Sequence, residues 1–203
     1  MIDCARERWV LDLIEGSPIA SVICNPRLPD NPVVAYNQAF TELTLYSGGE
    51  IIGRNCRVLA GRDTEPSLRC AMREAIGERR PAMVELLNYK RDGTPFRNAI
   101  CVAPIYSANQ ELIYFLGSLV ELGQDAHGFD RFRQSASRKA VQSLSKRQFE
   151  VLRLVAYGLR NKQIAHELGL TEKTVKMHRA ITMEKLGVRT AAEMIRMAVE
   201  AGI

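Results

Sequence analysis

The chain has 203 residues, 46% of them hydrophobic, and a net charge of +5. That length suits one large domain or two modest ones, and the composition is that of an ordinary globular protein. No apolar run is long enough to span a membrane and the first residues lack a signal peptide's hydrophobic stretch, so a cytoplasmic location without a membrane partner is expected.

In chain order, Trp9, Val10, Leu13 and Ile14 follow helical spacing until Gly16-Ser17-Pro18, which predicts a short N-terminal helix within residues 1–17. Two short apolar runs, Ile19 to Cys24 and Val33 to Tyr36, flank a Pro/Asn-rich turn. Asn37 is placed to cap a helix bearing Phe40 and Leu43, and Glu65-Pro66 opens a helix reaching about Gly77. Ala82 to Lys90 and Phe96 to Tyr106 read as strands joined by the hairpin signal Arg91-Asp92-Gly93-Thr94, with a third strand from Leu112 to Glu121. A loop over Gly123 to Gly128 and a basic connecting helix over Phe129 to Gln142 follow.

From Ser143 onward the punctuation is helical. Ser145 with Gln148 makes a capping box, Gly158 stops that helix, Asn161 starts the next, Thr171 caps a long one, and Thr190 with Glu193 opens the last. Residues 143–203 carry 11 Lys+Arg against 6 Asp+Glu, whereas residues 1–142 carry 17 of each. The net positive charge therefore belongs to the C-terminal module, which points to a polyanion partner there.

Cys4, Cys24, Cys56, Cys70 and Cys101 are odd in number and form no C-x-x-C pair, so reduced thiols and no metal site are expected. Cys56 stands apart because of its neighbours in Gly53-Arg54-Asn55-Cys56-Arg57-Val58-Leu59. An amide able to hydrogen-bond a heterocycle, a thiol, and a guanidinium suited to phosphate describe a site for a phosphorylated aromatic cofactor. The string closely resembles the flavin-binding signature of LOV domains, the blue-light-sensing branch of the PAS fold.

The resemblance, over roughly residues 18–122, implies a role for each matching residue. Asn55 corresponds to a flavin-contacting amide, Arg57 and Arg73 to phosphate-binding arginines, and Asn88 and Asn98 to the pair that bonds the polar edge of the flavin ring. Two phosphate-directed arginines favour FMN, and Cys56 becomes the nucleophile of a reversible photoadduct rather than a catalytic residue turning over substrate. Val58, Ala60 and Ile100 depart from common family residues. The largest departure is Leu119, which stands where the family places a glutamine that relays the signal into the sheet and which has no hydrogen-bonding group.

The strings Leu144 to Leu152, Gly158 to Ala165 and Thr171 to His178 resemble the LuxR-type helix-turn-helix. Stepping by about 100° per residue places Val175, Thr182 and Leu186 on the core side of the third helix. Lys173, Lys176, Met177 and Ala180 fall opposite, as a face for base edges and phosphates in the major groove together with Thr174. Arg160, Asn161 and Lys162 at a helix N-terminus are placed for backbone phosphates, and His178 lies toward the core edge. The last helix offers Ala191, Met194, Ile195, Ala198 and Val199 for dimerisation, as is usual in that family.

The expected architecture is α+β: a PAS/LOV domain with a five-stranded antiparallel sheet and small helices, followed by an all-α four-helix headpiece. The expected divisions are an N-terminal helix (1–17), sensor (18–122), linker with connecting helix (123–142) and headpiece (143–203). The whole resembles short bacterial light-gated transcription factors: a dark monomer whose sensor sheet covers the last helix, and a lit homodimer bound to pseudo-palindromic double-stranded DNA. The competing expectation is a PAS regulator gated by redox or ligand, or constitutive, because of Leu119.

Overall fold

The computed structural model describes residues 8–107, 109–123 and 129–203. Cys4, most of the loop expected at 123–128 and the start of the N-terminal helix lie outside the described residues. The first described element is α1 (Arg8–Leu11), which buries Val10. β1 (Ala20–Cys24) and β2 (Val33–Tyr36) follow, then α2 (Gln38–Thr44), α3 (Gly48–Ile51), a 3-10 turn (Cys56–Leu59) and α4 (Pro66–Gly77). β3 (Ala82–Tyr89), β4 (Pro95–Tyr106) and β5 (Leu112–Leu122) complete one antiparallel sheet in the order β2-β1-β5-β4-β3.

β5 is the central strand, buried on both faces. Its alternation decides what each side of the sheet meets. Phe115 and Leu119 point inward to a core with Val22, Cys24, Phe40, Ile51 and Leu59, while Tyr114 and Leu116 point outward to a second core. Asn37 ties the entry to this fold together. Its Oδ1 accepts from Ser21 N at 2.9 Å and caps α2 by accepting from Phe40 N at 3.1 Å, while its Nδ2 donates to the carbonyls of Ile14, Ser17 and Ile19. A side chain answering five backbone groups fixes β1 against α2 at little cost in buried unpaired polarity.

α5 (Phe129–Gln142) leads to α6 (Lys146–Ala156), α7 (Asn161–Leu168), α8 (Glu172–Leu186) and α9 (Ala191–Ala201). The predicted caps form: Ser145 accepts from Gln148 N, Thr171 from Thr174 N and Thr190 from Glu193 N. At α7 the cap is Arg160, one residue before the expected start. The headpiece core of Val151, Leu152, Val155, Ile164, Val175 and Met194 is continuous with the outer-face core of the sheet through Ala103, Ile105 and Leu116.

Candidate functional site

Cys56 is the first residue of the 3-10 turn, which Asn55 caps by accepting from Arg57 N at 2.9 Å. The Asn55 amide donates to Asp30 O at 2.5 Å, so it faces the β1–β2 loop and holds the Cys56 segment against it. Val33 N donates to Arg54 O at 2.8 Å and Gly53 N to Val33 O at 2.9 Å, completing that attachment. Arg57 is exposed and paired with Asp30, and Arg73 is exposed on α4. The inner core brings Cys56 and Val58 together with Ile100, Leu119 and Cys24. Cys56 Sγ lies 3.8 Å from Cys24 Sγ; the contact with Cys56, burial and the neighbouring charge push the Cys24 thiol well above its ordinary range.

Asn88 and Asn98 are both buried on the inner face, as diagonal neighbours across the β3–β4 ladder. Asn98 Nδ2 donates to Asn88 Oδ1 at 2.8 Å, and Asn88 Nδ2 donates to Leu59 O at 3.0 Å. Asn98 Oδ1 has no protein partner. A buried carbonyl oxygen left unpaired costs about 1–3 kcal/mol. The arrangement therefore fits a planar ligand with an N–H on its edge, set on the same face of the sheet as the Cys56 thiol. Leu119, 3% exposed, contributes only hydrocarbon.

In the headpiece, Val175, Thr182 and Leu186 are buried, while Lys173, Lys176, Met177 and Ala180 are exposed on the opposite face of α8, with Thr174 half-buried beside them. Thr174 N donates to Thr171 Oγ1 at 3.1 Å, which orders the start of this face. Lys162 is exposed, but Asn161 Oδ1 accepts from Arg179 Nη1 at 2.7 Å and the Arg160 guanidinium stacks 4.2 Å above the Trp9 ring. These residues line a cavity of about 500 Å³ with Trp9, Leu13 and Ile105. His178 is half-buried on the core edge, its Nδ1 unpartnered.

Residues 18–124 match the PAS domain family model, more than half of the chain. The LOV domain of an Erythrobacter litoralis blue-light-activated histidine kinase superposes with a TM-score of 0.51 at 31% identity, covering 53% of this chain and 99% of that domain. The chain belongs to the PAS family, in its LOV branch. The light-state Aureochrome1 LOV structure matches with a TM-score of 0.53 at 32% identity, over 64% of this chain and 94% of that one. The Erythrobacter litoralis (strain HTCC2594) blue-light-activated histidine kinase 1 is 48% identical over 111 residues, 55% of this chain but 31% of that protein. The chain thus spans about a third of that relative's length. Residues 142–198 match the model of bacterial regulatory proteins of the luxR family.

The LOV sheet and the luxR-type headpiece meet along α9, which lies on β3, β4 and β5 while α5 packs on α9. Met194, Ile195 and Ala198 are buried there and Ala191 and Val199 half-buried, so the face expected to dimerise is covered. Arg196 is 2% exposed: its Nε donates to Glu200 Oε1 at 2.8 Å, and its Nη1 reaches Ala99 O and Ser118 O, each at 3.3 Å. Those carbonyls belong to the peptide units just before Ile100 and Leu119, which are register partners facing the core that holds Cys56. Ser137 of α5 donates to Glu200 Oε2 at 3.1 Å, so one buried ion pair joins linker, last helix and sheet.

A second contact lies at the α6–α7 turn, where Tyr106 N donates to Gly158 O at 3.4 Å and Gln163 Nε2 to Ser107 O at 2.5 Å. Sequence reading missed Arg196, Glu200, Trp9 and Cys24. The signal for the first two was present, since charges four apart on the apolar stripe of a short helix imply a buried partner. Among the described residues no group of three or more His, Cys, Asp or Glu side chains could hold a metal, and no helix is long and apolar enough to cross a membrane.

Proposed function

We propose that the chain is a blue-light-regulated DNA-binding transcription regulator whose LOV domain holds FMN. Asn98 Oδ1 and the Asn88 amide receive the polar edge of the ring, and Arg57 and Arg73 reach its phosphate once Arg57 exchanges Asp30 for it. The bound flavin supplies light absorption and an electrophilic carbon; Cys56 supplies the sulfur that bonds to it reversibly. The observation that carries the reading is the placement of α9. The DNA-facing side of α8 is open while the dimerisation side of α9 lies on the LOV sheet, an arrangement suited to a closed state that light opens. The open form dimerises through α9 and binds a pseudo-palindromic site.

Leu119 leaves the inner face without the glutamine amide, so the signal travels through the backbone. Arg196 grips the peptide units of Ile100 and Leu119 from behind, and a shift of that pair reaches α9 with no side-chain relay. A spectrum of the purified chain before and after blue light, with DNA binding measured in both states, tests the proposal. Reversible bleaching that vanishes in Cys56→Ala, together with stronger binding in light, supports it. Stable yellow colour without bleaching favours the second reading, a PAS regulator gated by redox or ligand, which the apolar side chain of Leu119 keeps open.

A further inference from the structure

Cys24 has no part in the function proposed above, yet it sits in sulfur–sulfur contact with the thiol that does. Two features of the main chain build that contact. The β1–β2 register shifts between Ile23 and Cys24, and an irregularity of this kind re-aims the side chain it carries. Val33, the cross-strand partner of Cys24, exchanges both of its backbone hydrogen bonds with Gly53 and Arg54, at the foot of the Cys56 turn. Both cysteines thus hang from one backbone frame, 32 residues apart in sequence, with their sulfurs 3.8 Å apart. Cys24 is buried and Cys56 only half-buried, so an oxidant entering from solvent meets Cys56 first.

We propose that Cys24 and Cys56 form a redox dithiol in which Cys24 is the resolving thiol, so that hydroperoxides switch off the light response reversibly. Cys56 sulfur attacks the peroxide oxygen, the O–O bond breaks, and a sulfenic acid and one water are formed. Cys24 sulfur then attacks Cys56 sulfur, and the sulfenic hydroxyl departs with the Cys24 proton as a second water. The two thiols lose two electrons to one hydrogen peroxide, and external dithiol returns them by exchange. Burial and the Cys56 contact hold the Cys24 thiol above its ordinary range, so it is the weaker competitor for the peroxide, which fits a resolving rather than an attacking role. Cys101 is excluded as the partner because it lies on the opposite face of the sheet, and Cys70 because it is exposed on α4. The sulfur chemistry stands on the contact between the two thiols; only its effect on light sensing rests on the proposed function.

The test treats the purified full chain with hydrogen peroxide in the dark, blocks remaining thiols, and maps peptides by mass spectrometry without reduction. A Cys24–Cys56 linked peptide that dithiothreitol removes is the expected result. Cys56 carried to sulfinic acid in the wild type while Cys24 stays a free thiol would overturn the proposal. So would equal over-oxidation of Cys56 in wild type, Cys24→Ser and Cys24→Val. Flavin bleaching is read on the same samples: it is lost on oxidation and regained with dithiothreitol in the wild type, but lost irreversibly in the Cys24 variants. A linked peptide in a chain that never bleaches would leave the dithiol standing and refute the photoreceptor reading instead.

Discussion

Cys101 faces away from the Cys56 side of the sheet, beneath α9. Burial pushes its thiol up to about 12 from an ordinary 9.0, with Arg196 opposing the shift and Glu200 adding to it. The folded chain therefore keeps a proton that the unfolded chain releases above pH 9.0. The stability tied to this proton is complete below that pH and is lost as pH rises toward about 12. Cys101→Ala should flatten that alkaline decline, read as urea midpoints at neutral and alkaline pH. At this scale the sequence revealed residues whose chemistry is unusual for their place: an amide in each of two strands, and a thiol between an amide and a guanidinium. Cys24 was illegible because a cysteine in the fully buried run Ala20–Cys24 reads as a small hydrophobe.

Gly158 lies in the left-handed region at φ 76°, and a Cβ there would overlap Pro104 O and Ile105 Cα of β4. Gly187, at φ 67°, has open space around it. Alanine at either position costs about 1–2 kcal/mol of backbone strain, but only Gly158→Ala also pushes the headpiece off the sheet. Gly158→Ala should raise DNA binding in the dark, whereas Gly187→Ala should lower thermal stability and leave the ratio of lit to dark binding unchanged.

The Arg196–Glu200 pair makes a related prediction for α9. Arg196→Met leaves a buried carboxylate without its guanidinium, and breaking a buried pair in this way costs about 3–5 kcal/mol. Because that cost falls on the docked form, the variant should dimerise in the dark by sedimentation. The Arg196→Met/Glu200→Met double variant, with no stranded charge, should recover much of the dark monomer. Element positions were readable from periodicity and caps, since Ser145, Thr171 and Thr190 announce helices whatever they later pack against. The Arg160 cap was missed because arginine is not among the residues that ordinarily cap a helix.

For the whole molecule, under the proposed function, two headpieces acting together set how DNA binding responds to salt. Removing a single lysine–phosphate interaction lowers the slope of log affinity against log salt by about 0.9. Lys176→Ala should therefore reduce the slope by about twice that in a dimer, measured by titrating salt into a fluorescence anisotropy assay. The two modules were legible as separate units because composition and charge change between them near Ser143. Their docking was expected only from the family resemblance, not from the residues of α9 themselves. The apolar face of α9 reads equally well as headpiece core, dimer seam or sheet cover, and only the position of the Arg196–Glu200 pair over Ala99 and Ser118 distinguishes the last.

Under the proposed function, docking of α9 on the sheet and operator binding by paired headpieces are rivals, because α9 must leave the sheet before it can join two headpieces. Linkage between rivals is reciprocal: the factor by which opening strengthens DNA binding is the factor by which bound DNA favours opening. Under the proposed function an operator is thus an effector as well as a target. A molecule already at its site holds the open state longer after the light ends than one free in solution.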